Sequence, residues 1–463
     1  MIEHADLRPL VQGWLPRQRW FAGKGRAASI DIEALASFGG DRAASSDPIE
    51  IWVATATYDD ASSERYQLPL VGHRAPAETL EHVLLGSIEV DGQTQWIYDA
   101  LHDREVTGAW LDGIRSAALD GDVRFNRYVA ADEVPSDVSS LVLTAEQSNT
   151  SLVYGDQAIL KVFRRLQAGT NPDIEVHAAL GQQGGRHIAR LFGSVEAELD
   201  GQPYALAMLQ EFMTTATDGW ELAKASVRDL MAEADLHAEE AGGDFAAEAH
   251  RLGIAVAQTH ADLAVAFGVR FAHPDSMRLE AAAMRARLDG AIQVVPALED
   301  LAAALRAAFH DFELAADHVQ VQRIHGDLHL GQALRTVHRW VIIDFEGEPM
   351  AAMAARRDAA SPLRDVAGML RSFEYAGHHR VVEAGFDPQL HYRASEWAQR
   401  NRGAFCDGYA EAAGHDPRDQ EVLLRAYEAD KAVYEAVYEA RNRPGWLPIP
   451  LASLTRLAEE VSE

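Results

Sequence analysis

The 463-residue chain has a single cysteine, Cys406, which rules out an internal disulfide framework and any zinc cluster built on cysteine. Its setting, Gly403-Ala404-Phe405-Cys406, suits a small buried side chain better than a nucleophile. Basic residues are also scarce: 42 Lys and Arg face 71 Asp and Glu, a formal net charge of −29. That balance argues against nucleic acid and against an anionic membrane surface, because both need clustered cations. A small polyanion can still bind where local cations and a metal offset the field. No apolar run approaches the ~20 residues of a membrane helix. The start, Met1-Ile2-Glu3-His4-Ala5-Asp6, lacks the basic and then apolar regions of a signal peptide. The expectation is a cytoplasmic monomer whose partners are small molecules.

The chain is too long for one ordinary core, so two or three packed units are expected. The first part alternates short β-like runs, such as Ile49–Thr55, Glu64–Leu70 and Thr94–Asp99, with Gly, Asp and Ser turns. The alternation predicts a sheet with one wet face in an α+β accessory domain. A helix is expected near Thr107–Ser116 and a boundary in the acidic segment Ala130–Asp137. From Ser139 a β-rich lobe follows, with strands at Ser140–Thr144, Leu152–Tyr154, Ala158–Phe163 and Tyr204–Phe212 and one helix at Ile174–Leu180. Beyond Asp218 the pattern is helical, as in Phe245–Phe267, Leu279–Leu288 and Gln420–Arg441, broken by an irregular island from Ile324 to Glu348. Four segments are expected: 1–90, 91–135, 136–213 and 214–463. No internal repeat is evident.

The island carries the strongest chemical signal. His325-Gly326-Asp327-Leu328-His329-Leu330-Gly331-Gln332 is followed by an apolar strand that ends on Asp344-Phe345-Glu346-Gly347. Phosphoryl transfer needs a carboxylate at the attacking hydroxyl and oxygen ligands for Mg²⁺ between phosphates. Asp327 suits the first role; Asp344 and the amide oxygen of Gln332 suit the second. Lys161 lies in the apolar run Ile159-Leu160-Lys161-Val162-Phe163, where a buried lysine demands a counter-ion, and Glu175 on the next helix offers one. A Lys–Glu pair reaching the α- and β-phosphates of ATP would explain both residues. Gln147-Ser148-Asn149-Thr150-Ser151 stands where a phosphate-covering loop belongs. It is not glycine-rich, so its N–H groups and hydroxyls would have to make the contacts. Gln210-Glu211-Phe212-Met213 falls at the expected hinge, where exposed backbone would pair with adenine.

These residues resemble the aminoglycoside-phosphotransferase-like kinases and, within them, the bacterial maltokinases. The likeness runs through Arg17-Gln18-Arg19-Trp20-Phe21-Ala22-Gly23-Lys24, the two island motifs, Ser361-Pro362-Leu363-Arg364-Asp365, and Asp430-Lys431-Ala432-Val433-Tyr434-Glu435. It implies a bilobal protein-kinase-like α+β fold, with a β-rich small lobe, a helical large lobe and an N-terminal cap. It also implies transfer of the ATP γ-phosphoryl to the anomeric hydroxyl of maltose, feeding α-glucan synthesis, with trehalose synthase as a partner. Protein kinases end the second motif in Asp-Phe-Gly. Here Glu346 replaces that glycine and Gln332 stands for the usual asparagine, both in keeping with the maltokinase branch.

A sugar pocket needs polar groups and an aromatic face. Tyr427, Lys431, Tyr434, Tyr438 and Arg441 recur at helical spacing near the C-terminus. Spacing alone favours packing against the large lobe as core; the resemblance favours pocket membership for Lys431, Tyr434 and Arg441. His325 and His329 either hydrogen-bond the acceptor or brace the loop. Arg19, Trp20 and Lys24 either bind a ligand or clamp the cap, and Arg364-Asp365 is expected to form a buried ion pair. Two alternatives stand beside a maltose kinase: a related amino-sugar kinase such as a glucosamine kinase, and a catalytically dead nucleotide-binding partner.

Overall fold

The computed structural model describes residues 4–39, 48–90, 92–143, 148–232, 237–238, 240, 244–315, 319–348, 352–385 and 387–462. The chain forms two compact units, Met1–Ala178 with Ala189–Thr214, and Ala179–Ile188 with Thr215–Glu463.

The first unit is built on two antiparallel sheets. In one, strands Ala28–Phe38, Ile49–Tyr58, Ser63–His73, Gln93–Asp99 and Leu84–Val90 lie side by side in that order. Helix His4–Trp14 covers one face, packing Leu7, Val11 and Trp14 on Ile30, Trp52 and Ala54. The opposite face does not meet water. Ile49, Ile51 and Val53, whose side chains alternate with those of the first face, share a core with Leu152, Leu160 and Val195 of the second sheet. The expectation of one wet face is therefore corrected: sandwiching between a helix and a second sheet buries the central strand on both sides.

The second sheet runs in the order Leu119–Asp120, Val123–Arg127, Leu191–Leu199, Gln202–Glu211, Ala158–Val162, Thr150–Tyr154 and Ser140–Leu143. The anticipated strands between residues 140 and 211 are present, as is the helix, at Pro172–Gln182. Strand Leu191–Leu199 was not anticipated. The sheet also crosses the boundary expected near Ala130–Asp137, because Val123–Arg127 pairs with Leu191–Leu199.

Polar groups join the two sheets. Arg165–Leu166 pairs with the edge of Ser63–His73. The Gln67 amide donates to the carbonyls of Phe163 at 3.2 Å and Leu206 at 2.9 Å. Arg164, 1% exposed, forms an ion pair with Asp99, donates to the Thr150 hydroxyl at 2.8 Å and faces the Trp20 ring at 4.7 Å. A buried guanidinium is held only where such partners surround it. Trp20 thus serves the clamp that was one of its two readings, and Lys24 Nζ donates to the Arg19 carbonyl at 3.1 Å.

The second unit is helical. Ala246–Phe267 and Pro388–Ala413 cross where Gly253 and Gly408 face the opposing backbone: a Cβ on either would lie within 2.1 Å of a carbonyl oxygen. Leu363–Ala384 packs on the island, Glu421–Asn442 packs on Leu363–Ala384, and Pro448–Ser462 packs on both of these helices. Cys406 is buried here, and burial pushes its thiol up to about 12. No helix among the described residues is long and apolar enough to cross a membrane.

Candidate active site

The island of the second unit is shaped by a short hairpin. Strands Ala333–Arg335 and Trp340–Ile342 pair antiparallel, with Ala333 opposite Ile342. That register sets the flanking residues together: Ile343 N–H donates to the Gln332 carbonyl at 3.0 Å, and the Gln332 amide nitrogen donates to Asp344 Oδ2 at 3.1 Å. The amide oxygen of Gln332 is then left for a ligand. Asp344 holds φ at 67°, a left-handed conformation that costs a non-glycine residue about 1–3 kcal/mol and that clusters at functional sites. A Glu346 carboxylate oxygen lies within 4.8 Å of one from Asp344. The glutamate that replaces the usual glycine therefore brings a second carboxylate here, a role its position in the motif had not signalled. These are hard oxygen donors, and their chemistry fits Mg²⁺.

The loop carrying Asp327 is held from beneath by Asp365, which is 1% exposed. Its carboxylate accepts from the N–H of His325 at 2.7 Å and of Gly326 at 2.8 Å, and meets His260 Nε2 at 3.1 Å. Burial alone would raise this carboxyl, but the bond from His260 and the surrounding positive groups hold it below its usual range. Gly368, one helical turn on, lets the helix approach the loop: a Cβ there would sit 2.5 Å from the Leu328 carbonyl oxygen. Ser372, a further turn along, accepts from Leu330 N–H at 3.0 Å. Asp365 braces the island, as expected of this segment, but through backbone N–H groups, and Arg364 pairs with Glu348 at 3.0 Å, since successive helical residues point apart.

His325 braces rather than binds. Its Nε2 meets the Ile343 carbonyl at 2.9 Å, its Nδ1 accepts from Asp327 N–H at 3.3 Å, and its ring lies 4.9 Å from that of Phe345. With both nitrogens occupied, an acceptor contact is not available to it. His329 caps its own turn through Nδ1, which accepts from Gly331 N–H at 3.0 Å; its Nε2 meets no described residue. Burial lowers the His329 pKa and Asp327 only partly opposes this, so the ring is neutral at pH 7.

Asp327 itself meets Lys431, with Nζ 2.9 Å from Oδ1. Burial pushes the Asp327 carboxyl up, but the Lys431 ammonium, helped by His329 and His325, outweighs it and holds the group below the usual carboxylate range. Burial pulls the Lys431 ammonium down, but Asp327, together with Glu435 and Glu348, holds it above its ordinary value. Around this pair a cleft is lined by Glu348, Arg364, Arg287, Asp430, Tyr427 and Tyr434. Arg287 reaches Asp430 at 2.8 Å. Arg287 is a cleft residue that no sequence pattern had marked, whereas Asp430 lies in a stretch that carried the resemblance. Of the residues expected on the C-terminal helix, Tyr427, Lys431 and Tyr434 line the cleft. Tyr438 is instead 45% exposed under the Arg443 guanidinium, and Arg441 is exposed, so neither joins them.

In the first unit Lys161 points its ammonium at Asp173, 3.7 Å away. Asp173, 3% exposed at its side chain, also meets His177 Nδ1 at 3.1 Å. The helix start is fixed by Asn171, whose side-chain oxygen accepts from the N–H groups of Asp173 and Ile174. Sequence reasoning had named Glu175 and overlooked Asp173. Thr150 and Ser151 are buried strand residues, and the Thr150 hydroxyl is engaged by Arg164, which leaves Ser148 and Asn149 as the loop residues here. Gln147 lies outside the described residues. At the expected hinge, the N–H of Glu211 donates to the Arg190 carbonyl at 2.8 Å and that of Phe212 to the Gln157 carbonyl at 3.0 Å. Sheet pairing has taken both donors, so the adenine contact expected of Glu211 has no free N–H there.

An aspartate paired with a lysine, a hairpin that gathers oxygen donors and a polar cleft beside them are arranged as a sugar-kinase site requires, and known proteins agree with that class. Residues 14–103 match the maltokinase N-terminal cap domain. The chain is 30% identical over 334 residues to a glucosamine kinase of Mycolicibacterium smegmatis (strain ATCC 700084 / mc(2)155), covering 69% of this chain and 79% of that protein. It is 28% identical over 357 residues to a glucosamine kinase of Streptacidiphilus jiangxiensis, covering 75% and 79%. Among solved structures, a glucosamine kinase superposes with a TM-score of 0.71 at 22% identity, over 96% of this chain and 97% of that one. A glucosamine kinase in complex with glucosamine, ADP and inorganic phosphate gives 0.68 at 22% identity, over 98% and 100%. The fold is the bilobal α+β kinase fold with an N-terminal cap, and the protein is an ATP-dependent sugar kinase. The chain belongs to the family of the M. smegmatis glucosamine kinase.

Proposed function

We propose that this kinase phosphorylates a neutral sugar, maltose, at its anomeric hydroxyl to give maltose 1-phosphate and ADP. One observation carries the choice of a neutral acceptor. Three carboxylates line the cleft, and each already has a cation: Asp327 has Lys431, Glu348 has Arg364 and Asp430 has Arg287. An ammonium-bearing acceptor is bound best by a carboxylate in excess, because burying a second cation beside a neutralised pair costs desolvation without repayment. Tyr434 and Tyr427 add the aromatic surface that a sugar ring packs against. Glucosamine is the second reading, and the names of the two curated relatives favour it.

Asp327 orients the hydroxyl and takes its proton as the sugar oxygen bonds to the γ-phosphorus and the bond to ADP breaks. His329, neutral and with Nε2 available, hydrogen-bonds the acceptor. When bound, Mg²⁺ held by Gln332 and Asp344 neutralises charge that develops on the phosphates. Lys161, with Glu175 and Asp173 behind it, supplies the cation for the α- and β-phosphates; Ser148 and Asn149 give the loop contacts. Trehalose synthase as a partner, and α-glucan synthesis as the destination of the product, follow from the maltokinase resemblance.

Coupled ADP release with maltose and with glucosamine, each at saturating ATP, tests the assignment. Maltose is expected to turn over with the higher kcat/KM. Turnover of glucosamine with maltose inert would sink it and leave the second reading.

A further inference from the structure

In the absence of an acceptor, the group proposed as the base is not free to act. Lys431 Nζ lies 2.9 Å from Asp327 Oδ1, in a pair whose side chains are half-buried. A charge-assisted bond of that length in a low-dielectric site is strong, and breaking it without replacement exposes two uncompensated charges. The lysine is also well anchored. Its helix, Glu421–Asn442, buries Tyr427, Ala432, Val433 and Ala436. One turn on, Glu435 is gripped by Arg371, whose Nε and Nη2 lie 2.9 and 2.7 Å from the same carboxylate oxygen. The Tyr434 ring stands 5.7 Å from the ammonium.

From this geometry we infer that Lys431 is a lock on the base: it suppresses transfer of the γ-phosphoryl to water until a sugar arrives. Water is the competing acceptor at any kinase site. In hydrolysis its oxygen bonds to the γ-phosphorus, the bond to ADP breaks, and its proton passes to Asp327. With Oδ1 bonded to an ammonium, Asp327 is both occupied and less basic, so a single water, bringing one or two hydrogen bonds, does not displace it. A sugar brings several hydroxyls. One replaces the ammonium at Oδ1 while others receive the displaced lysine. The acceptor thereby releases the base it uses, and Lys431 acts as a positioning residue through Asp327.

The inference rests on Asp327 as the base, and the test separates the two claims. ADP release from Mg-ATP without sugar is measured for the wild type, Lys431→Gln, Lys431→Arg, Asp327→Asn and the Lys431→Gln/Asp327→Asn double variant. A fluorescent ATP analogue and a thermal melt report nucleotide binding and folding. Lys431→Gln is expected to raise sugar-independent hydrolysis about tenfold while lowering transfer to the sugar. Lys431→Arg, which keeps a cation at the carboxylate, is expected to leak less than Lys431→Gln. The double variant is expected to lose the leak. A folded, nucleotide-binding Lys431→Gln without increased hydrolysis would overturn the lock, as would a double variant that still leaks. Undiminished sugar phosphorylation by Asp327→Asn would instead overturn Asp327 as the base.

Discussion

Each unit of the molecule holds a lysine against an aspartate, and the two pairs are built differently. Lys161 rises from a strand of the first unit and meets Asp173 at 3.7 Å on the helix that comes next in the chain. The contact is loose, and His177 shares the carboxylate. Lys431 stands on a helix of the second unit and meets Asp327 at 2.9 Å across 104 residues of sequence. This contact is short, and its carboxylate is the group proposed to react. A compact ammonium 3.7 Å from a carboxylate that a histidine shares is held less tightly to that partner than one in a 2.9 Å bond. A lysine bonded closely to one carboxylate sets the basicity and availability of that carboxylate. The roles proposed for the two pairs differ in the same way: a nucleotide contact for Lys161 and proton transfer for Asp327.

Removing the reacting member should have the largest effect. Asp327→Asn is expected to lower kcat at least ~100-fold, as loss of a positioned base does, with nucleotide affinity little changed. Steady-state kinetics beside a nucleotide titration checks both halves. Equal losses in kcat and in nucleotide binding would make Asp327 structural and erase the contrast with Lys161. Lys161→Met comes next. It is expected to raise the KM for ATP about tenfold, in line with loss of one charge-assisted contact worth about 1.5 kcal/mol, and to leave the KM for the sugar nearly unchanged. A shift confined to the sugar KM would give the two lysines the opposite roles.

How far each pair could be read in advance follows from the same contrast. A lysine inside Ile159-Leu160-Lys161-Val162-Phe163 announces its need for a partner, because a buried ammonium without one is costly. The following helix was an obvious supplier, and only the register of that helix brought Asp173 into play beside Glu175. The hairpin that joins Gln332 to Asp344 was legible for a similar reason: both motifs flank one short strand pair, so local pairing suffices to bring them together. The Lys431–Asp327 contact had no local trace. Helical spacing marked Lys431 among tyrosines and the resemblance placed it at the sugar pocket, but neither named Asp327 as its partner. Asp365 taking the loop, Arg364 taking Glu348, and Arg287 taking Asp430 are long-range choices of the same kind, settled by packing among helices. The cap misled for a global reason: alternation in a strand reports that its two faces differ, and here both faces are buried by different neighbours.

The subtlest expected difference is in pH dependence. Asp327 is held below its ordinary value, so its contribution to stability is present above the unfolded carboxylate pKa and is lost as pH falls through the lower folded value. Lys431 is held above its ordinary value, so its contribution is present below the unfolded lysine pKa and is lost as pH rises through the folded one. The pair is therefore intact across the neutral range. Removing the ammonium in Lys431→Gln leaves burial raising Asp327, opposed only by His329 and His325, so the carboxyl takes up its proton at higher pH. The acid limb of the kcat–pH profile for sugar phosphorylation should move upward relative to the wild type, while Lys161→Met should leave that limb where it is. A limb that stays in place in Lys431→Gln, or moves equally in both variants, would mean that Lys431 does not tune the base and that the two pairs differ in length alone.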